Sequence, residues 1–290
     1  MFIKQIMKKH RQKIHFITAL GMILIGNIYS MQLQALPVPA HLASIKFMPP
    51  PPPPDRGATG SRGGAASRGC NANNQTVTAL VPIYEQTVSQ GKQESISITK
   101  VWGLTNLEHP YLLFFVPYKM SSIANMEFVL KDETNNKSQT LYRNFVTPPE
   151  SPGIVKVDLP ASVTPLQVGK MYRWFFKVKV KCNSQQPTTL DYVEGWVQRV
   201  NQDLALTEQL KQATPQQKVV LYAENGIWYD ALMTLAELRF ANPNDATLLT
   251  KWTSLLNSVG LDELANQPLV NCCKPSKNHK ETPTNNIVSS

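Results

Sequence analysis

PLQVGKMYRWFFKVKVKC, residues 165–182, decides how this chain folds. Tyr172, Trp174, Phe176, Val178 and Val180 are apolar, and Arg173, Lys177, Lys179 and Lys181 alternate with them as charged residues. Met171 and Phe175 break the pattern. Successive side chains of an extended backbone point to opposite faces, so this period of two specifies a strand with one face on a core and the other in water. Trp174 is then core filling, and the Tyr/Trp/Phe row reads as scaffold rather than as a ligand-stacking face.

The surrounding text is of the same kind. TVTALVP (76–82), SISITKV (95–101), YLLFFVPY (111–118), NMEFVLKD (125–132), TLYRNFV (140–146), GIVKVDL (153–159) and YVEGWVQRV (192–200) read as strands, broken by Gly91, His109-Pro110, Asn135-Asn136 and Pro148-Pro149. YLLFFV is apolar on both faces and belongs in the middle of a sheet. Leu166, Gly169 and Tyr172 carry the spacing of a tyrosine corner, in which the phenol bonds back to the backbone ahead of a late Greek-key strand. Residues 70–202 therefore predict an immunoglobulin-like β-sandwich.

After Asn201 the period changes to that of helices. Residues 203–213 form the first, and Thr214-Pro215-Gln216-Gln217 opens a second as N-cap, proline at N1 and capping-box glutamine, stopped at Asn225-Gly226. A third spans about Ile227–Ala241 and a fourth reaches Val259-Gly260 after the turn Asn242–Asp245. YDALMTLAELRFANPNDATLLTKWTSLL resembles the junction of two tetratricopeptide units, with Ala231 at the small crossing position and Pro243 in the interhelix turn. Thr253 stands where that pattern wants glycine or alanine, and the repeats are too few to stand alone. The expectation for 203–270 is a helical segment docked on the sandwich, giving an α+β, mainly β, chain.

The N-terminus reads differently. A basic stretch through Lys13, the apolar run Phe16–Tyr29 and a small-residue zone with Ser30 and Ala35 predict a secretory signal over residues 1–35, with an uncleaved anchor as the alternative. The expected location is periplasmic or extracellular, with membrane contact only through an uncleaved leader. The formal net charge is +9, yet five basic residues lie in the leader and no acid precedes Asp55. The remainder carries 24 basic against 20 acidic residues, too small an excess for a nucleic-acid partner. Residues 36–69, with six prolines at Pro49–Pro54 and Arg56, Arg62 and Arg68 among glycines, read as a disordered linker, and residues 271–290 as a disordered tail.

Four cysteines in an exported chain suggest disulfides. Cys70–Cys182 would join the chain entering the first strand to the end of the organising strand, stabilising by roughly 4–5 kcal/mol through loop closure. Cys272 and Cys273 read as loosely ordered thiols or points of covalent attachment.

In order along the chain, PPPPPPDRGATGSRGGAASRGC, LTNLEHPYLLFFVPY, VGKMYRWFFKV, VEGWVQRV and LYAENGIWYDALMTLAELRFANPNDATLLTKWTSLLNSVGL resemble the exported cyanobacterial family of unknown function DUF928 over about residues 45–270. The resemblance implies export and a shared architecture. It brings no activity and no catalytic residues.

The chemistry-bearing residues are few. Only His109 of five histidines lies in the body, and no nucleophile, zinc, Walker or dinucleotide motif occurs, so no cofactor and no metal site is predicted. Carboxylates remain: Glu224, Asp230 and Glu237 on helices, and Glu194 beside Trp196 on a strand. Glu194 shares strand parity with Tyr192 and Trp196, which places it either buried beside a partner or on an exposed aromatic face. Trp228, Tyr229 and Asp230 follow a glycine stop and read as a helix start anchored on the sandwich or as an aromatic partner surface. The binding candidates are thus Glu194, Trp196, Trp228, Tyr229 and Asp230, with an envelope protein or glycan as partner. The expected function is a non-catalytic binding or scaffolding module. The alternative is a carboxylate-dependent enzyme on cell-wall or extracellular glycan, which needs two acids facing each other across a groove.

Overall fold

The computed structural model describes residues 44–51, 60–64, 75–90, 94–133, 137–182, 185 and 187–273, with the backbone alone at 86–90 and 94–96. The expected leader, Cys70 and the chain beyond Cys273 lie outside the described residues. Within them the strands are β1 (Thr78–Ala79), β2 (Ile83–Gln90), β3 (Glu94–Thr105), β4 (Tyr111–Val116), β5 (Ile123–Asp132), β6 (Gln139–Val146), β7 (Gly153–Asp158), β8 (Met171–Val180) and β9 (Thr189–Arg199). The helices are α1 (Leu204–Gln212), α2 (Pro215–Glu224), α3 (Trp228–Ala241) and α4 (Ala246–Asn257). The fold is α+β and mainly β.

Two sheets are formed, one ordered β1-β4-β7 and one ordered β2-β3-β9-β8-β5-β6. β3 runs parallel to β9 where Trp102–Thr105 meets Trp196–Arg199, and the other paired strands are antiparallel. β8 behaves as its alternation demands. Tyr172, Trp174, Phe176, Val178 and Val180 are all buried, and the ring of Phe114 from β4 stacks on Phe176 at 4.3 Å and meets Trp174 edge-on at 5.5 Å. Such aromatic pairs contribute about 0.5–1.5 kcal/mol each beyond the area they bury. The Trp174 ring fits because its cross-strand partner is Gly195. A Cβ there would lie 2.4 Å from Trp174 Cζ2 and 2.7 Å from the Val101 carbonyl oxygen. At the entry to β8 the backbone N–H of Gln167 donates to Tyr172 Oη at 2.9 Å, which is the bond the corner spacing predicts.

The helices begin and end where their caps place them. Thr214 Oγ1 accepts from Gln217 N–H and the Gln217 side chain returns to Thr214 N–H, while Gly226, at φ +71°, stops α2 in a conformation that favours glycine. α3 is buried nearly all round from Trp228 to Ala236, which marks it as the inner helix. It packs on β3 and β4. Trp228 Nε1–H donates to the Leu80 carbonyl at 2.8 Å, and Tyr229 Oη accepts from Trp174 Nε1–H at 3.0 Å and donates to the Trp196 carbonyl at 3.1 Å. The core tryptophan of the large sheet and the inner helix are therefore linked by one buried relay.

Three expectations are corrected. β2, IYEQTVSQ, is not among the expected strands, and it pairs with β3 along its whole length. The linker expected over 36–69 is packed in both of its described pieces. Ile45 and Phe47 are buried, Ile45 exchanges hydrogen bonds with Ser254 Oγ, Met48 N–H donates to the Ala223 carbonyl, and Phe47 meets Trp228 edge-on at 5.0 Å. Further on, Gly60 N–H donates to the Thr99 carbonyl, and Ser61 and Glu194 exchange backbone hydrogen bonds at 3.0 Å. Arg62 donates to the carbonyls of Val259 and Gly260, both at 2.8 Å, and Gly64 N–H reaches the Val77 carbonyl. Gly60–Gly64 is thus a strap from the large sheet across to β1. Lastly, Cys272 and Cys273 are not thiols: they are bonded to each other, and Cys273 N–H donates to the Thr147 carbonyl. Cys182 is disulfide-bonded, and Cys70, its expected partner, lies outside the described residues.

Candidate functional site

The face of β8 turned away from the core carries Arg173, Phe175, Lys177 and Lys179. Cross-strand register extends each position into a row. Glu194 of β9, Phe175, Val129 of β5 and Arg143 of β6 form one, and Tyr192, Lys177, Glu127 and Phe145 form the next. Side chains in such rows sit about 4.5–5.5 Å from their neighbours, close enough for aromatic and charged groups to act as one surface.

A groove of about 320 Å³ opens on this face, lined by Lys131, Arg143, Arg173, Phe175, Lys177, Leu190, Tyr192 and Glu194. Phe175 is its floor. The cationic groups of Arg173, Lys131 and Lys177 stand 4.9, 5.3 and 5.7 Å from the Phe175 ring centroid, within cation–π range. Arg173 also donates to Glu194 at 2.7 Å and to Glu133 at 3.4 Å, and Glu127 pairs with Arg143 at 3.2 Å and Lys177 at 3.3 Å. Two groups are left to solvent as apolar surface, Tyr192 at 41% exposure and Leu190 at 40%. Among the described residues no carboxylate lies within ion-pair distance of Lys131.

Of the predicted site residues, Glu194 alone lines this groove. It takes both roles open to it, paired with Arg173 and set among aromatic side chains. Trp196 shares its face but is buried, with the Arg173 guanidinium 5.7 Å from its ring. Trp228, Tyr229 and Asp230 are buried on the opposite side of the sheet, so they form no partner surface. They anchor α3 instead. Sequence reasoning passes over Phe175, Leu190, Lys131 and Arg143, and names Tyr192 only as a neighbour of Glu194. The available signal was Phe175 itself, an apolar residue at a solvent-facing position between Arg173 and Lys177.

The kinship of the chain follows from residues 59–269, which match the family described as Domain of Unknown Function (DUF928). The chain belongs to DUF928. The matched span runs from the strap through the last helix and takes in every strand described above. No curated protein and no solved structure matches the chain.

The remaining chemistry of this DUF928 chain is buried. Asp230 Oδ2 accepts from Thr105 Oγ1–H at 2.7 Å and from Asn106 N–H at 3.3 Å, and Oδ1 has no hydrogen-bond partner among the described residues. Burial raises its pKa to about 7, against the opposing pull of those two hydrogen bonds. A raised carboxyl is a catalytic signature only where substrate reaches it, and Asp230 is 3% exposed. Nor, among the described residues, does it face a second acid: Glu194 and Glu127 lie on the other side of the sheet, each held by cations. Among the described residues no three His, Cys, Asp or Glu side chains gather as a metal ion would require, and no helix is long and apolar enough to cross a membrane.

Proposed function

We propose that this chain is an exported, non-catalytic binding module of the cell envelope that engages its partner through the outer face of the six-stranded sheet. One observation carries the reading. The acids at the groove, Glu194, Glu127 and Glu133, are all committed to arginine or lysine, while Tyr192 and Leu190 stay exposed beside Lys131. Ion-paired carboxylates are poor general acids and bases, whereas exposed aromatic and cationic side chains on a rigid sheet are what recognition sites use. Export rests on the basic and apolar pattern of residues 1–35.

The finer architecture belongs to the same proposal. We read the sheets as an immunoglobulin-like sandwich, with β1-β4-β7 as the small layer, β9-β8-β5-β6 as the core of the large one, and Tyr172 as the tyrosine corner. The β2–β3 hairpin is an addition at the edge of the large sheet. We read α3 and α4 as a tetratricopeptide-like hairpin, supported by buried Ala231 at the crossing and Pro243 in the turn.

Cosedimentation of the full chain with isolated cell envelopes tests this function. The expected result is saturable binding that falls about tenfold in Lys131→Gln/Tyr192→Ala, with no release of reducing sugar ends. Equal binding by that variant overturns the assignment of the face. Released reducing ends would instead establish the carboxylate enzyme.

A further inference from the structure

The geometry points to an acidic polysaccharide as the occupant of this groove: a chain of hydroxyl-rich rings bearing no more than a single carboxylate per sugar. The inference rests on the binding-module reading and names its ligand class. Its first support is shape. The groove is open, its volume of about 320 Å³ is that of a ligand site, and its exposed apolar surface is the Tyr192 ring and Leu190, beside a Phe175 ring already covered by Arg173, Lys131 and Lys177. A pyranose ring presents C–H groups on its faces and hydroxyls at its rim, so it stacks on such rungs while its rim stays polar. The second support is the polar frame. Arg173–Glu194 and Arg143–Glu127–Lys177 set hydrogen-bond donors beside acceptors around the aromatic floor. Adjacent sugar hydroxyls, each both donor and acceptor, match that alternation.

Charge then selects within the class. Lys131, Arg143, Arg173 and Lys177 are balanced by the carboxylates of Glu127, Glu133 and Glu194, which leaves one positive charge, carried by Lys131 at the groove. One uncompensated cation suits a polymer that sets a single carboxylate on the sugar it binds. It does not suit a nucleic acid, whose charges recur about every 1.7 Å of duplex and call for a run of free cations. An extended peptide finds no footing either. Strand addition needs unpaired backbone, and β8 and β5 under the groove are hydrogen-bonded on both sides.

The test is calorimetric titration of the full chain with polygalacturonate, dextran of matched length and polyglutamate, at low and at physiological salt. Polygalacturonate is expected to bind about tenfold more tightly than either of the others. Lys131→Gln should erase its margin over dextran, and Tyr192→Ala should weaken it about tenfold, while Lys211→Gln on α1 changes nothing. Leu190→Ser serves as a second probe of the apolar rungs if Tyr192→Ala lowers the melting temperature. Dextran binding as tightly as polygalacturonate overturns the acidic assignment, and polyglutamate binding as tightly overturns the sugar assignment. Failure of all three polymers also overturns the ligand class. In that case envelope cosedimentation separates the two claims: loss of envelope binding in Lys131→Gln/Tyr192→Ala leaves the binding face standing, and unchanged binding removes both.

Discussion

Replacing Asp230 by asparagine isolates what a buried carboxylate costs this fold. In the folded chain the group titrates at about 7 against an ordinary value of 3.8, with burial as the main cause. The difference is roughly three pH units, and at about 1.36 kcal/mol per unit it corresponds to a stability change on the order of 4 kcal/mol. The sign follows from proton binding. Between pH 3.8 and 7 the folded state keeps the proton that the unfolded state has released, so stability falls as pH rises, and above 7 the decline is complete. Asparagine keeps an oxygen that accepts from Thr105 and Asn106, and its amide takes the place of Oδ1, where the protonated acid also has nothing to donate to. Asp230→Asn is therefore a fixed copy of the protonated state. Urea unfolding of both chains from pH 4 to pH 8, with disulfides intact, gives the difference in stability, from which all other titrating groups cancel. The two should be close at pH 4, and the variant should be more stable by a few kcal/mol at pH 8. A difference that stays flat, or that favours the wild type more as pH rises, refutes the reasoning, because the ionised carboxylate would then be stabilised by the fold.

Three further substitutions test the packing. Gly195→Ala sets a methyl group 2.4 Å from Trp174 Cζ2 and 2.7 Å from a backbone oxygen, so it should cost about 1–3 kcal/mol and lower the melting temperature; an unchanged melt would mean the ring moves freely. Tyr229→Phe leaves Trp174 Nε1–H without this acceptor and takes one donor from the Trp196 carbonyl, and denaturant unfolding should register a loss of roughly 2 kcal/mol, whereas a neutral result would remove the relay as a link between sheet and helix. Arg62→Ala removes two hydrogen bonds to the carbonyls that follow α4, and hydrogen exchange should accelerate over about residues 257–264 with the sheets unaffected; uniform protection would show that the strap does not hold the helices.

What could be read in advance was whatever is local. The alternation of β8, the Leu166–Gly169–Tyr172 corner and the Thr214–Gln217 capping box are each written within a few residues, and each forms as written. β2 escaped because it is an edge strand of mostly polar residues, Glu85, Gln86, Thr87, Ser89 and Gln90, with no apolar face to announce it. The docking of residues 44–51 escaped because its stability is tertiary: Ile45 and Phe47 are two apolar residues in front of six prolines, and only the docked α2–α4 surface makes them core. The burial of three binding candidates is hidden from the sequence for a related reason. Trp228, Tyr229 and Asp230 look alike whether a helix exposes or buries them, and only the apolar residues continuing around α3 to Ala236 distinguish the two.

Glu194 ties the proposed recognition face to the construction of this fold. Its backbone pairs with Phe175 on one side and with Ser61 of the strap on the other, beyond the point where β3 and β9 stop pairing. Its side chain holds Arg173, and Arg173 covers both the groove floor at Phe175 and the buried Trp196. The next residue, Gly195, admits the Trp174 ring from the opposite face, and that ring is hydrogen-bonded to α3 through Tyr229. Strap, both faces of the large sheet and inner helix thus converge on two consecutive residues. A groove built there inherits the rigidity of the core, so the proposed polymer would meet side chains already held in place, which keeps the ordering cost of binding small.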